Sequence, residues 1–203
     1  GGQFPGRRAP CGPYVLEQLH RRLDTFGQRA QHYHALVRRG GAGMGRQPDV
    51  LRHAARYTPN RLAATLGGDE ITFGALDEQA NRIAHTLREM GVGHGDRVAW
   101  WGDTSLEAVP IFFALAKLGA VFAPVNARLG PDEAAEVVGY ARPRLVVVDD
   151  AHADLVQEID APMATHAHLA DAATHASGSD IDAPGLDERD PHVIFFTSGS
   201  TGR

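Results

Sequence analysis

Cysteine is almost absent from this sequence: Cys11 is the single cysteine among 203 residues. One thiol excludes an internal disulfide framework and a cysteine-rich zinc site, and such usage is typical of a reducing compartment. Long apolar stretches are lacking as well, because no run approaches about 18 residues and no apolar segment of the secretory kind stands near the beginning. We therefore expect a soluble, cytoplasmic protein that is not secreted.

Lysine is equally scarce, and the charge is unevenly distributed. Lys117 is the only lysine beside nineteen arginines, so chemistry that requires a lysine must use it or a lysine from outside the chain. The net charge is −5, but residues 1–48 carry eight arginines against two acids, about +6, which leaves about −11 on the rest. We divide the chain accordingly into a basic arm, 1–43, and a domain, 44–203.

The basic arm contains one amphipathic pattern, over 14–39, in which apolar residues recur every three or four positions. A basic helix of this kind can lie on an anionic membrane or contact nucleic acid. The alternatives are that the arm is disordered and solvated, or that the protein truly starts at Met44. These alternatives are favoured because basic patches often bind neither membranes nor nucleic acid. No function is assigned to 1–43, and nucleic acid is not predicted as a partner.

From residue 49 onward, short apolar runs alternate with amphipathic stretches. A short helix that ends before Thr58-Pro59 precedes a predicted hairpin over 62–73. Further helices are predicted from Thr72 or Gly74 to an end at Gly91, over about 105–118 with a kink at Pro110, and from Pro131 with an apolar face that reaches Ala141. Strands are predicted to begin near Val98 and Val121 and to cover 145–148. This alternation predicts an α/β fold with a mostly parallel sheet flanked by helices, and residues 160–190 are predicted to be irregular surface.

The last part of the sequence combines a strand pattern with a loop of small residues. Residues 193–196 are all apolar and predict a buried strand. The loop that follows consists of Thr197, Ser198, Gly199, Ser200, Thr201 and Gly202. Small residues let several backbone N–H groups converge on one anion, and the hydroxyls add donors, so this loop suits the β,γ-phosphates of ATP. The spacing is not that of a Walker A loop, and the alternative is a flexible Ser/Gly tail.

The loop resembles the Thr-Ser-Gly-(Ser/Thr)-Thr-Gly-x-Pro-Lys-Gly signature of the adenylate-forming superfamily, which includes acyl-CoA synthetases, aryl-CoA ligases, luciferases and adenylation domains of peptide synthetases. Residues 197–202 match this signature, and Arg203 fills its variable position. Two upstream stretches, 71–76 and 115–126, resemble family motifs in the expected order, although Ala75 replaces the usual glutamate of the first one. The resemblance covers roughly 48–203.

The resemblance implies the N-terminal part of the large domain of an AMP-forming acyl-CoA synthetase. In this family a carboxylate attacks the α-phosphate of ATP bound to Mg²⁺, and a thiol, usually coenzyme A, then displaces AMP. The implied partners are therefore a fatty or aryl acid, ATP, Mg²⁺ and coenzyme A, with a peripheral membrane contact as an option for lipid acids. The family's other catalytic groups are expected downstream, so no catalytic residue is assigned within the chain and these 203 residues are expected to be inactive by themselves.

Two other functions remain open. An adenylation domain of a peptide or polyketide synthetase would share the loop, but Asn126-Ala127-Arg128-Leu129 favours an acyl-CoA synthetase. A non-enzymatic binding protein would instead depend on the basic pattern over 14–39 and would bind nucleic acid or anionic lipid in a salt-sensitive way.

Three further residue patterns were weighed for chemistry. His32 with His34, and His166 with His168, would each share a face of a strand and could ligate a metal. Neither pair has a cysteine or an ordered carboxylate beside it, so no metal site is predicted. Lys117 lies near a predicted helix end and is predicted to be a structural cation and not the catalytic lysine.

Overall fold

The computed structural model describes residues 47–155, 159, 161–183, 185–187 and 189–196. The predicted basic helix, the first histidine pair and the predicted phosphate loop lie outside these residues. Among the helices of the described part, none is long and apolar enough to cross a membrane.

A four-stranded parallel sheet forms the centre of the described part, and a two-stranded hairpin stands beside it. The strands are Leu62–Leu66 (β1), Asp69–Thr72 (β2), Arg97–Trp101 (β3), Val121–Val125 (β4), Leu145–Val148 (β5) and Met163–Thr165 (β6). The α-helices are Gln47–Tyr57 (α1), Phe73–Glu89 (α2), Ala108–Leu118 (α3), Pro131–Ala141 (α4) and His166–Thr174 (α5). The large sheet has the order β4-β3-β5-β6, so the predicted α/β class is confirmed.

Side chains of β3 alternate between the two faces of the sheet, because successive residues of a strand point in opposite directions. Val98 and Trp100 pack into the cluster that α2, α3 and α5 complete, whereas Ala99 and Trp101 pack against α4. Every residue of β5 is buried, as expected for a parallel strand that is covered on both faces. The sheet is therefore the middle layer of three.

Local signals in the sequence place several helix ends correctly. Thr72 caps α2, and its hydroxyl accepts a hydrogen bond from the N–H of Ala75 at 3.3 Å. Gly119 ends α3 in the left-handed conformation, with φ of 69°, as predicted for a glycine C-cap. Pro131 opens α4 and Gly130 is its N-cap. The predicted start of the helix at Pro131 and the predicted strand over 145–148 are confirmed.

The predicted start of α3 is wrong. The helix begins at Ala108 and not at residue 105, which places Pro110 in the first turn. Proline is tolerated there because N–H groups of the first turn have no partner within the helix. The kink predicted at Pro110 is therefore not required.

The prediction of irregular surface over 160–190 is wrong for β6 and α5. Thr165 caps α5, because its hydroxyl accepts a hydrogen bond from the N–H of His168 at 3.1 Å. Only Leu169 and Ala173 of this short helix are buried, so the apolar stripe is too sparse to stand out in the sequence.

The strand predicted over 193–196 is present only as a single parallel bridge between Val193 and Phe122 of β4. Val193 is half-buried and Phe195 is 41% exposed, so the prediction of a buried strand is wrong for the described residues. This segment lies on the outer side of β4, and within the described part of the chain no strand pairs with it from the other side.

Candidate functional site

The carboxyl ends of the parallel strands meet at one edge of the sheet, which is the edge where open α/β sheets bind their ligands. Three connections begin there: 102–103 after β3, 126–130 after β4 and 149–152 after β5. A fourth piece of chain, 192–196, runs parallel to β4 and approaches the same edge. This carboxyl edge is the candidate functional site.

Two backbone hydrogen bonds fasten the fourth piece to β4. The N–H of Phe122 donates to the carbonyl of His192 at 2.8 Å, and the N–H of Ile194 donates to the carbonyl of Phe122 at 3.0 Å. Just upstream, the His94 ring lies 2.8 Å from a carboxylate oxygen of Asp190. The N–H of Asp187 and the His94 ring together lower the pKa of Asp190. The direction of the chain is thus fixed on both sides of Val193, and residues 192–196 run toward the carboxyl edge.

The connection after β4 forms a tight turn. The N–H of Leu129 donates to the carbonyl of Asn126 at 3.1 Å, and the N–H of Arg128 donates to the Asn126 side-chain oxygen at 3.0 Å. The turn is the stretch that the sequence singles out as typical of acyl-CoA synthetases, and it follows directly after Val125. It therefore lies at the carboxyl end of the strand that pairs with residues 192–194.

A histidine and a carboxylate join the connections at this edge, and we call Gly102, Asp103, Ala127, Asp149 and His152 the Asp149 cluster. One oxygen of Asp149 accepts the N–H of Asp103 at 2.7 Å, and the other accepts the N–H of His152 at 2.9 Å. The His152 ring lies 2.6 Å from Asp149 through Nδ1 and 3.1 Å from the carbonyl of Ala127 through Nε2. Three loops are thereby tied together around one carboxylate.

The electrostatics of the Asp149 cluster favour the charged forms of both side chains. Burial alone would lower the pKa of His152, but the hydrogen bonds to Asp149 and Ala127 and the charges of Asp149 and Asp103 outweigh it and raise that pKa. Burial alone would raise the pKa of Asp149, but the N–H of Asp103 and the ring and N–H of His152 outweigh it and lower that pKa.

A second ion cluster lies at the C-terminal end of α3, which is the end away from the carboxyl edge of the sheet. We call it the Lys117 cluster, and it consists of Lys117, Asp77, Asp180 and Arg52. The Lys117 side chain is fully buried, and its Nζ lies 2.8 Å from Asp77 and 3.1 Å from Asp180. Arg52 of α1 contacts the other oxygen of Asp180 at 2.7 Å. These contacts fasten the segment around residue 180 to α1, α2 and α3, as expected for a structural cation.

The second histidine pair does not have the predicted arrangement. His166 and His168 lie in α5 and not in a strand, so they do not share a strand face. His166 is 3.4 Å from Glu107 and contacts the Trp100 ring edge-on at 6.0 Å between centroids. Throughout the described part, no group of three histidine, cysteine or acidic side chains could hold a metal ion.

Sequence reasoning missed the Asp149 cluster, although one signal for it was present. Asp149 directly follows a fully buried strand, and His152 stands three residues later. An acid at the carboxyl end of a parallel strand, with a histidine within one turn of it, marks a candidate polar site at the ligand-binding edge. The third partner, the Ala127 carbonyl, has no sequence signal because any residue supplies one.

Comparison with known proteins agrees with the fold and with the motifs. The family model of the AMP-binding enzymes matches residues 51–203, so the chain belongs to this family. A fatty acid–acyl-carrier-protein ligase, ScoC of Streptomyces coeruleorubidus, is 35% identical over 153 residues, which are 73% of this chain and 30% of the relative. Feruloyl-CoA synthase of an Amycolatopsis species is 34% identical over 165 residues, 79% of this chain and 32% of that enzyme. A probable nonribosomal peptide synthetase, CymA of Salinispora arenicola, is 33% identical over 167 residues, 78% of this chain and 2% of that protein.

Solved structures place the described fold in the same family. A fatty acyl-CoA synthetase of Mycobacterium tuberculosis superposes with a TM-score of 0.69 at 26% identity, covering 76% of this chain and 33% of that protein. The N-terminal domain of adenylate-forming enzymes is thus the correct expectation for the fold. The chain spans about a third of the length of the curated relatives named above.

Proposed function

We propose that this chain is the N-terminal part of an AMP-forming ligase and supplies the loop that holds the β,γ-phosphates of ATP. The observation that supports the proposal is the pairing of 192–194 with β4, because residues 192–196 run parallel to this strand toward the carboxyl edge of the sheet. The residues proposed to hold the phosphates are Thr197, Ser198, Gly199, Ser200, Thr201 and Gly202. Phosphate-binding loops of other α/β folds follow a strand at this same edge.

The proposed chemistry begins with a fatty or aryl carboxylate. One of its oxygens attacks the α-phosphorus of ATP, the bond to the β-phosphate bridging oxygen breaks, and pyrophosphate leaves. Negative charge develops on the leaving pyrophosphate during this step. Convergent N–H and hydroxyl donors stabilise that charge and so lower the activation barrier. A thiol then attacks the acyl carbon and AMP departs. No described residue is assigned to the acyl, adenine or ribose contacts.

Coenzyme A is the proposed thiol, because the turn at 126–129 favours acyl-CoA synthetases and feruloyl-CoA synthase is among the relatives. A carrier protein is the alternative thiol, since the acyl-carrier-protein ligase is equally similar. Mg²⁺ enters the proposal as the partner of ATP. No described residue is proposed as its ligand.

The domain boundaries and the cellular location also belong to this proposal. We place the family domain at 44–203 and the basic arm at 1–43, in keeping with a family match that begins at residue 51. A cytoplasmic location, with a peripheral membrane contact through the basic arm, suits a ligase of lipid acids. Fractionation of cells that express the full-length gene product, with and without 1–43, tests both points. Equal membrane association of the two forms would contradict the proposed contact.

The phosphate-loop proposal is tested by Thr201→Val in the full-length gene product. We expect ATP–pyrophosphate exchange to fall by about tenfold to a hundredfold, because one hydroxyl donor to the phosphates is lost. Thr65→Val is the matched control, since Thr65 is an exposed residue of β1. Exchange that is equal in the two variants would remove the role assigned to the loop.

A further inference from the structure

The His152 ring stands between two acceptors. Nδ1 is 2.6 Å from a carboxylate oxygen of Asp149, and Nε2 is 3.1 Å from the carbonyl oxygen of Ala127. A carbonyl can only accept, and Asp149 already accepts backbone N–H groups from Asp103 and His152, which keeps it in the acceptor role. A neutral imidazole carries one N–H, whereas the cation carries two. Both contacts can be hydrogen bonds at the same time only when the ring is protonated.

The two contacts reach different loops. Asp149 belongs to the connection after β5 and is also bonded to the N–H of Asp103 after β3, whereas Ala127 belongs to the turn after β4. The His152 side chain is 9% exposed, so water competes little for either contact. Among the described residues, the charges that act on the ring are the carboxylates of Asp149 and Asp103, and the Trp101 ring packs against it at 5.1 Å between centroids.

We propose that protonated His152 is a positioning residue that fastens the turn after β4 to the connections after β3 and β5, and that loss of its proton releases this turn. The proposal rests on the described geometry and does not depend on the proposed nucleotide function. The neutral ring keeps its shorter contact, to Asp149, and gives up the contact to Ala127. The raised pKa of His152 places the release on the alkaline side of an ordinary histidine.

The release has a consequence for the carboxyl edge. The turn begins one residue after β4, and β4 is the strand along which the chain from Val193 approaches the same edge. The order of the turn, and with it the order of this edge, is therefore expected to follow the protonation of a single imidazole.

Tryptophan fluorescence tests the protonation step on the full chain, which contains only Trp100 and Trp101. A protonated imidazole in contact with an indole quenches its emission, and Trp101 contacts His152. In a His166→Gln background, which removes the imidazole that contacts Trp100, we expect emission to rise with pH, with a midpoint above about 6.5. The transition should be absent when His152→Gln is added to this background, and the His166→Gln single variant is the matched control that should keep it.

The coupling to the turn needs a second measurement that a merely structural role of His152 would not affect. Amide resonances of residues 127–129 are expected to shift with the same midpoint as the His152 ring resonances in the unmodified chain, and to be insensitive to this pH range in His152→Gln. Asp149→Asn should lower the midpoint by about one unit, because the carboxylate that favours the cation is gone.

Two results would overturn the proposal. One is a His152 midpoint at or below about 6.5. It would mean that the folded chain does not favour the protonated ring, although the two hydrogen bonds require it to. The other is that the amide resonances of residues 127–129 do not shift when His152 titrates in the unmodified chain. Both are read from the unmodified chain, so the proposal can fail even where a variant does not fold.

Discussion

The two ion clusters of this domain differ in burial and in the kind of cation they contain. In the Lys117 cluster the ammonium is fully buried between Asp77 and Asp180. In the Asp149 cluster the carboxylate is 16% exposed, and the cation is an imidazole that lies in the connections at the carboxyl edge. The first cluster joins helices and a later segment, whereas the second joins three loops at the ligand-binding edge.

The two clusters therefore contain cations that respond differently to pH. An ammonium group normally stays charged throughout the neutral range, whereas an imidazole changes charge near it. The Asp149 cluster is expected to hold the turn after β4 only while the imidazole is protonated. Two substitutions and one pH series would break or sharpen this contrast.

The largest effect is expected for Lys117→Ala, with a loss of about 3–5 kcal/mol in the free energy of unfolding. The substitution removes the partner of two carboxylates, of which Asp77 is only 20% exposed, and leaves a cavity. Urea unfolding measures the loss. Arg56→Ala is the control, because Arg56 is an exposed cation of α1 and should cost less than about 1 kcal/mol. A loss for Lys117→Ala no larger than for the control would show that the buried cluster is not a main support of the fold.

An intermediate effect is expected for Gly102→Ala at the carboxyl edge. A methyl group there would lie 2.8 Å from Asp149 Oδ2 and 2.9 Å from the Trp100 ring, so one of them must move. We expect a loss of about 1–3 kcal/mol in unfolding free energy, together with a lower His152 midpoint in the fluorescence titration.

Gly139→Ala is the matched control for Gly102→Ala. Gly139 is an exposed residue of α4, and a methyl group there would meet no atom within 4 Å. This change should stabilise the chain by about 0.5–1 kcal/mol, because alanine is the better helix former. If both substitutions changed the free energy of unfolding in the same direction, the close approach of Gly102 to Asp149 would not constrain the cluster.

Several parts of this fold could be predicted from the sequence because their causes are local. The strand at 145–148 is a continuous apolar run, and Gly119 and Pro131 mark helix ends by conformations that few other residues adopt easily. The family loop was likewise found from its residues alone, although 197–203 lie outside the described part and its phosphate role remains a proposal.

Other parts could not be predicted, because their causes are distant in sequence or weak. The partner of Lys117 at Asp180 stands 63 residues away, and no spacing rule connects them. The helix α5 buries too few side chains to show a stripe. The Asp149 and His152 pair could be predicted only in part. Its spacing of three residues is visible in the sequence, but the contact that ties it to the turn after β4 is made to the Ala127 carbonyl, which is 25 residues away.

The smallest effect is the pH dependence of stability that the Asp149 cluster contributes. The pKa of His152 is raised in the folded chain, so its contribution is fully present below about 6.5 and is lost as pH rises through the folded value. The pKa of Asp149 is lowered, so its contribution is present above about 3.9 and is lost as pH falls through the folded value. The cluster should therefore stabilise most between about pH 4 and pH 6.5.

Unfolding free energies of the unmodified chain and of His152→Gln, compared from pH 5 to pH 9, check this window. We expect a difference of about 1.5 kcal/mol at the acidic end that shrinks as pH rises, because the charge-assisted hydrogen bond to Ala127 disappears with the proton. His168→Gln, at an exposed position of α5, should differ from the unmodified chain by less than about 0.5 kcal/mol at every pH. A difference for His152→Gln that stayed constant across the range would make His152 a fixed support like Lys117, and the contrast between the two clusters would be lost.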